Sequence, residues 1–301
     1  MTKQFLIIFT VLTVAFYSPL FGQEKDSLFS RLRAISNNGT DFYNVDGIEI
    51  TSQNINAEFS KKNILKKFKK YSIKENELNA SDSSIESPNF YVSKSDELFQ
   101  NTVQQTSYYF IEDRNKNILA ITFGAINKSD KKFEREFVKL ILNNEIPKNI
   151  FEPLQIDSIN FAGRKIALGG SCHWMGINNV QCPYYGQMNW SVHKTLDDAT
   201  QSVNNQYNLI KAKKHGKIVS EELVNVIFEG SEVKAKKAVY DFKGVTSLLV
   251  GMSGGKTLTI YFVASPARQN YVSCVMSFWN NDSVGPDGLP PLLEAVMKLR
   301  K

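Results

Sequence analysis

Apolar residues recur every three or four positions in several stretches, and this spacing predicts amphipathic helices with one buried face. The strongest stretch follows Thr195, which has Asp198 three residues later as a capping partner and basic residues before Gly216. Its apolar stripe is Leu196, Ala199, Val203, Tyr207 and Ile210. The same spacing predicts helices over residues 27–36, from Ser60 to Lys74, from Asp130 to before Pro147, and after Pro290.

Runs of apolar and polar residues between turn residues predict strands. In the first half, the predicted strands are 47–52, 107–112 and 118–126, the last two forming a hairpin. In the second half, they are 159–168, a hairpin centred on residues 176–179, and a meander over 218–228, 233–242, 246–251, 257–264 and 271–279. The strands therefore lie next to one another along the chain, which favours antiparallel sheets.

Both halves end in the order strand, turn, strand, helix, from Tyr108 to Ile141 and from Ile260 to Leu299. We therefore expect an α+β protein of two tandem sandwich-like domains, each an antiparallel sheet with packed helices. The repeated order also suggests an internal duplication. The 301 residues have room for two cores. The segment Pro147–Pro153 predicts a boundary between domains at 23–150 and 154–301.

The N-terminus has the pattern of a secretory signal peptide over residues 1–22. Lys3 precedes the apolar run Phe5–Tyr17, and Gly22 offers a small residue at the cleavage point. A membrane anchor is the alternative, but the run is shorter than the 18 to 20 or so residues needed to span a bilayer. The first cysteine is Cys172, so we expect no lipid attachment after the leader. We expect export to the periplasm or the exterior, with no transmembrane segment in the mature chain.

The chain is 42% hydrophobic, which excludes a disordered protein, and its formal net charge is +6. Much of the positive charge falls on the predicted helix that begins at Ser60, at Lys61, Lys62, Lys66, Lys67, Lys69 and Lys70. One interpretation is a patch that faces an anionic surface such as lipid headgroups. The other is a solvated helix face that the acidic residues just after it balance.

All three cysteines lie in the second half of the chain. Cys172 and Cys182 are placed symmetrically about Ile177, so a hairpin there brings them face to face. An exported chain favours a disulfide between them, and the alternative is two free thiols, one of them reactive. Cys274 shares one strand face with Val272 and Met276, which indicates a core position, whereas a catalytic thiolate is the alternative.

The polar residue types that serve in catalysis or metal binding show no organised spacing. His173, His193 and His215 lack the close spacing of zinc ligands. Asp197 and Asp198 fall in the first turn of a predicted helix, where acidic side chains are electrostatically favoured. We therefore expect no catalytic residue, no metal and no cofactor.

A cluster of aromatic and amide residues surrounds the predicted disulfide hairpin. Its candidate binding residues are Trp174, Asn178, Asn179, Tyr184 and Tyr185. Aromatic faces beside amides on a stiffened loop suit recognition of a protein, peptide or glycan. Trp190 lies on the same strand face as two apolar neighbours and is expected in the core.

The leading hypothesis is a non-enzymatic, exported binding protein of the envelope or exterior that recognises a protein, peptide or glycan through its C-terminal domain, and not nucleic acid. A secreted cysteine-dependent hydrolase is one alternative. The other is peripheral contact with anionic lipid through the basic helix of residues 60–74.

Overall fold

The structure is a computed structural model that describes residue 25 and residues 27–243 and 255–300. The predicted leader and the predicted strand at 246–251 lie outside these residues. Strand is the commonest structure in the described chain, with seventeen strands arranged as two large sheets and one hairpin. Among the described residues, no helix has both the length and the apolar composition needed to cross a membrane.

The first large sheet has seven strands in the order β4-β5-β6-β3-β2-β1-β7. Neighbours pair antiparallel except β1 and β7, which are parallel. The strands are β1 Arg33–Asn37, β2 Thr40–Val45, β3 Ile48–Glu58, β4 Asn89–Phe99, β5 Thr102–Glu112, β6 Asn117–Ile126 and β7 Phe151–Glu152. The domain boundary stays a prediction, but residues 151–152 still belong to this sheet.

Alternating residues of β5 and β6 face two separate apolar clusters. On one face, Tyr109 packs with Phe137 of helix α2 (Lys131–Leu142), which Asp130 caps. On the other face, Phe110 packs with Ile64 of helix α1 (Lys61–Lys67), which Ser60 caps. Short 3-10 helices follow at Lys69–Tyr71, Glu75–Asn79 and Lys148–Ile150.

The second large sheet has eight antiparallel strands in the order β10-β11-β12-β16-β15-β14-β13-β17. These strands are β10 His173–Gly176, β11 Asn179–Cys182, β12 Gly186–His193, β13 Gly216–Phe228, β14 Ser231–Phe242, β15 Thr257–Ala267, β16 Asn270–Trp279 and β17 Met297–Leu299. A separate hairpin pairs β8 (Ser158–Phe161) with β9 (Arg164–Ala167).

The second sheet also has a different cluster on each face. Helix α3 (Leu196–Ala212), which Thr195 caps, lays Val203 and Tyr207 against Ile260 and Phe262. The opposite face buries Trp190 with Phe161 of the β8–β9 hairpin and with the segment that contains helix α4 (Pro291–Glu294).

The two large sheets share one connectivity. In each, a three-stranded meander leads through a helix into a second meander, whose last strand pairs with the third strand of the first. The register confirms this pairing for β3 with β6 and for β12 with β16. An internal duplication stays a prediction, and the common order is what supports it.

The predicted α+β class is wrong, because strands outnumber helices and most helices are short. Residues 27–31 form one helical turn rather than a helix to residue 36, since Ala34 and its neighbours pair with β2. The left-handed residues Asn38 and Gly39 allow this tight hairpin, at φ 50° and 72°. At the other end, α4 has only four residues, and the chain then turns into β17.

Candidate functional site

A cleft of about 730 Å³ lies between the first sheet and helix α3. The first sheet contributes β3, β6 and the β4–β5 end, whereas the second half contributes α3 and strands β12, β15 and β16. A cavity of this size is within the range of ligand pockets.

The lining of the cleft combines amide side chains with aliphatic ones. The amides are Gln104, Gln187, Asn189, Gln201, Asn205 and Gln206. The aliphatic residues are Leu98, Ile126, Leu209, Ile210, Leu258, Ile260 and Val275. An amide can donate and accept hydrogen bonds at once, so this lining suits a ligand that presents both kinds of group along its length.

One wall of the cleft is fixed where the β2–β3 turn meets β12. The Asp46 amide donates to the Val192 carbonyl at 3.0 Å, and the Gly47 amide donates to the Ser191 hydroxyl at 2.9 Å. The Ser191 hydroxyl in turn donates to Asn44 Oδ1 at 2.6 Å. These bonds join residues more than 140 positions apart, so they hold the two halves of the chain together at this point.

A second contact joins β6 to α3. Asn205 Nδ2 donates to the Ile126 carbonyl at 3.3 Å, and Lys128 Nζ lies 3.5 Å from Asp198 Oδ1. Because the halves meet at two places, the cleft is preformed rather than dependent on a ligand to bring its walls together.

Glu49 on β3 lines this cleft and is open to solvent. The protein around the carboxylate nevertheless reduces hydration of its charged form, so its pKa is raised above the usual value. In the described part of the chain, the Glu49 carboxylate has no salt-bridge or hydrogen-bond partner. A ligand could therefore supply the hydrogen-bond or salt-bridge partner that the Glu49 carboxylate lacks.

His193 is completely buried at the joint between the halves. Its Nε2 lies 2.8 Å from the Ser273 hydroxyl, and that hydroxyl donates to Ser202 on the cleft wall at 3.3 Å. Burial lowers the pKa of His193 to about 4, so the imidazole is neutral at pH 7. Its Nδ1 has no hydrogen-bond partner among the described residues.

The predicted disulfide between Cys172 and Cys182 is present, with the two Cα atoms 4.1 Å apart. The register of β10 with β11 pairs His173 with Gln181, so the cysteines take the next opposed position. The spacing about Ile177 therefore predicts the pair correctly. Cys274 is buried, opposite Trp190 and Val263, and burial raises the pKa of its thiol, which opposes formation of a thiolate.

The five candidate binding residues of the hairpin do not share one surface. Tyr184 and Tyr185 are 62% and 42% exposed. Trp174 is half-buried against Trp190, and its indole N–H donates to the Pro153 carbonyl at 2.9 Å. Asn179 is half-buried and accepts from Gln187 Nε2 at 2.9 Å.

Asn178 faces the first half of the chain instead of solvent. It is 1% exposed, and its Nδ2 lies 3.4 Å from Asn44 Oδ1. Its backbone is left-handed at φ 55°, a conformation that asparagine tolerates in turns. Asn178 therefore belongs to the joint between the halves.

The lysines of the basic segment all lie on α1 and the 3-10 turn after it. Lys62, Lys66, Lys67, Lys69 and Lys70 are exposed. Lys61 is half-buried and donates to Asn79 Oδ1 at 2.7 Å. Within the residues described, no salt bridge engages these six side chains. The expected contact with an anionic surface stays a prediction.

The cleft residues are those that the sequence did not indicate. The walls of the cleft come from residues 46–128 and 187–277, two distant parts of the chain, and they carry common polar side chains without a motif. The signal that was available is the pair of dipeptides Asn38-Gly39 and Asp46-Gly47, which mark tight hairpins. They would have placed β1, β2 and β3 in one meander and Glu49 at its third strand. No group of three or more acidic, His or Cys residues that could hold a metal occurs in the part described.

Comparison with known proteins gives no family for this chain. No family model matches it, and no curated protein matches it. Among solved structures, the di-domain ARO/CYC StfQ from the steffimycin biosynthetic pathway aligns over 88% of this chain and 77% of its own, with 10% identity and a TM-score of 0.17.

Proposed function

We propose that the protein is an exported, non-enzymatic binding protein that holds an extended polar ligand, a peptide or a glycan, in the cleft between its two halves. The observation that carries the proposal is the preformed cleft, in which six amide side chains and an unpaired carboxylate stand among aliphatic residues. The predicted leader and the Cys172–Cys182 disulfide support export to an oxidising compartment.

The arrangement in the cleft suits binding better than a hydrolase. The buried Cys274 is not a cleft residue, and burial disfavours its thiolate. His193 reaches the cleft only through two serine hydroxyls, and its low pKa makes it a weak base. Amides and aliphatic groups, by contrast, recognise shape and hydrogen-bonding pattern without reacting.

The test is a binding survey of the mature protein, residues 23–301, on a peptide array and a glycan array. The comparison variants fill the cleft. In Gly124→Tyr, the added side chain starts on the cleft wall, where a Cβ would lie 3.3 Å from Gln104 Nε2, the end of a flexible side chain. In Gln201→Trp, the change is on an exposed position of α3.

We expect the wild type to bind a defined set of peptides or glycans and both variants to lose that set while their thermal unfolding stays cooperative. Equal binding by the wild type and by both folded variants would refute the cleft as the site. Turnover of a bound ligand by the wild type would refute the non-enzymatic assignment.

A further inference from the structure

Glu49 differs from the other acidic residues of the cleft in having no cation beside it. Asp46 is held by the guanidinium of Arg31, at 2.9 Å from Nε, and also accepts from the Lys194 amide. Asp198 is next to Lys128. Lys128 is thus paired with another acid, and Lys213, the other lysine of the lining, forms no salt bridge with Glu49 in the part of the chain described, so the Glu49 carboxylate is uncompensated.

An uncompensated carboxylate on a cleft wall has a cost that a bound cation would remove. Partial removal from water disfavours the charged form, and an opposite charge within hydrogen-bond distance restores it. A charge-assisted hydrogen bond to an ammonium or guanidinium is stronger than one between neutral groups. Glu49 therefore adds a preference for a cation, and it is the one acid of the cleft lining, among the residues described, that has no salt bridge.

The length of the cleft suits a short extended peptide. The lining residues of α3 and its C-cap run from Asp198 to Lys213, which at about 1.5 Å per residue is about 22 Å. An extended chain advances about 3.3 Å per residue, so about seven residues would lie along this wall.

The side chains along the walls match a peptide backbone with aliphatic side chains. Glutamine and asparagine amides have the same donor and acceptor groups as the peptide bond and can pair with it in both directions. Leu209, Ile210 and Leu258 add apolar surface to the same lining, with Leu209 and Ile210 following the amides along α3. An extended peptide presents both backbone amides and side chains, so it can use the polar and the apolar parts of this wall.

We infer that the cleft binds an extended peptide segment of about seven residues and that Glu49 selects a Lys or Arg side chain at one position of it. The inference rests on the proposed function, because it requires the cleft to be the ligand site. The inference goes beyond the proposed function by naming the class of ligand and the residue that sets the specificity of the cleft.

The experiment pans a random heptapeptide library displayed on phage against the mature protein and three variants. Glu49→Gln removes the charge and keeps the shape. Glu58→Gln is the matched control, because Glu58 is an exposed glutamate on the same strand that does not line the cleft. Gly124→Tyr reports which peptides bind through the cleft. Enriched peptides are then synthesised, and their Kd values are measured by fluorescence polarisation.

We expect the wild type and Glu58→Gln to enrich heptapeptides with Lys or Arg at one fixed position. Glu49→Gln should lose this preference and bind the synthetic peptides roughly tenfold to a hundredfold more weakly. A synthetic peptide with norleucine in place of the basic residue should bind the wild type and Glu49→Gln equally.

The remaining outcomes separate the inference from the proposed function. If cleft-dependent peptides carry no basic residue, or if Glu49→Gln keeps the preference, the inference fails and the cleft still binds peptides. If only glycans bind through the cleft, the peptide inference fails and the proposed function stands. If enriched peptides bind Gly124→Tyr as well as they bind the wild type, the cleft is not their site and both fail.

Discussion

At the scale of single residues, His193 should make the protein sensitive to mild acid. Its pKa is about 4 in the folded chain, because burial disfavours the charged imidazole, and about 6.5 in an unfolded one. As pH falls through this interval, the unfolded state takes up a proton that the folded state cannot, so folding loses stability. We expect a loss of about 2 kcal/mol from this group between pH 7 and pH 5, measured by urea unfolding at both values.

The control separates His193 from the carboxylates that titrate in the same range. His193→Gln keeps a donor toward the Ser273 hydroxyl but cannot be protonated, so its stability should change less between the two pH values. His173→Gln, at an exposed position, should behave as the wild type does. If His193→Gln loses as much stability as the wild type, the acid sensitivity comes from other groups.

Asn178 shows how a local prediction can be correct while the surroundings of the side chain are not predicted. Asn178 was predicted at a hairpin turn and is there, with the left-handed backbone that a turn requires. Its side chain is nevertheless buried, because Asn44, 134 residues earlier, comes against it. Local sequence shows that a turn is polar but not that another part of the chain covers it, so Asn178 was interpreted as a binding residue.

At the scale of elements, the prediction succeeded where helix caps or alternating apolar residues mark an element locally. Ser60, Asp130 and Thr195 cap α1, α2 and α3, and the two strands with clear alternation around residues 113–117 form the expected hairpin. Strand β4 was missed, because Ser93–Glu97 is polar and the strand lies at a sheet edge, where one side needs no apolar pattern. The class failed for a related reason: apolar spacing does not show how short a helix will be.

The β2–β3 turn allows a prediction about how one element fits the other half. Gly47 has φ 76°, and a Cβ there would lie 3.2 Å from His193 Cε1. Gly39 has a similar φ of 72° with nothing within 4 Å. Gly39→Ala should therefore cost about 1 kcal/mol for the left-handed backbone alone, and Gly47→Ala should cost more because it also pushes on the buried imidazole. If urea unfolding shows equal losses of unfolding free energy in the two variants, the β2–β3 turn does not pack tightly against His193.

The disulfide hairpin gives a second prediction for an element. Replacing Cys172 and Cys182 together by Ser should lower the free energy of unfolding by about 2 to 3 kcal/mol, because a closed loop with a sequence separation of 10 restricts the unfolded chain. Guanidinium unfolding measures the change, with Cys274→Ala as a separate variant that keeps the disulfide. A double-serine variant with wild-type stability would contradict this account.

At the scale of the whole molecule, the proposed site depends on the joint between the halves. The cleft exists because the β2–β3 turn hydrogen-bonds to β12 and the end of β6 hydrogen-bonds to α3. Each contact joins segments that are far apart in sequence. The leading hypothesis placed the binding site in the second half alone, because all the cysteines and the clustered aromatic residues are there. A site with one wall from each half could not be found in that way.

Two surfaces of the molecule can now be compared in one experiment. Tyr184 and Tyr185 are exposed beside the disulfide hairpin and do not line the cleft, so their replacement by Ala should cost little stability. If the cleft is the ligand site, Tyr184→Ala/Tyr185→Ala binds array ligands as the wild type does, and Gly124→Tyr does not. The opposite pattern, with binding lost in the double tyrosine variant and kept in Gly124→Tyr, would move the site to the hairpin. Since each variant changes one surface only, the pair assigns the ligand to one of them.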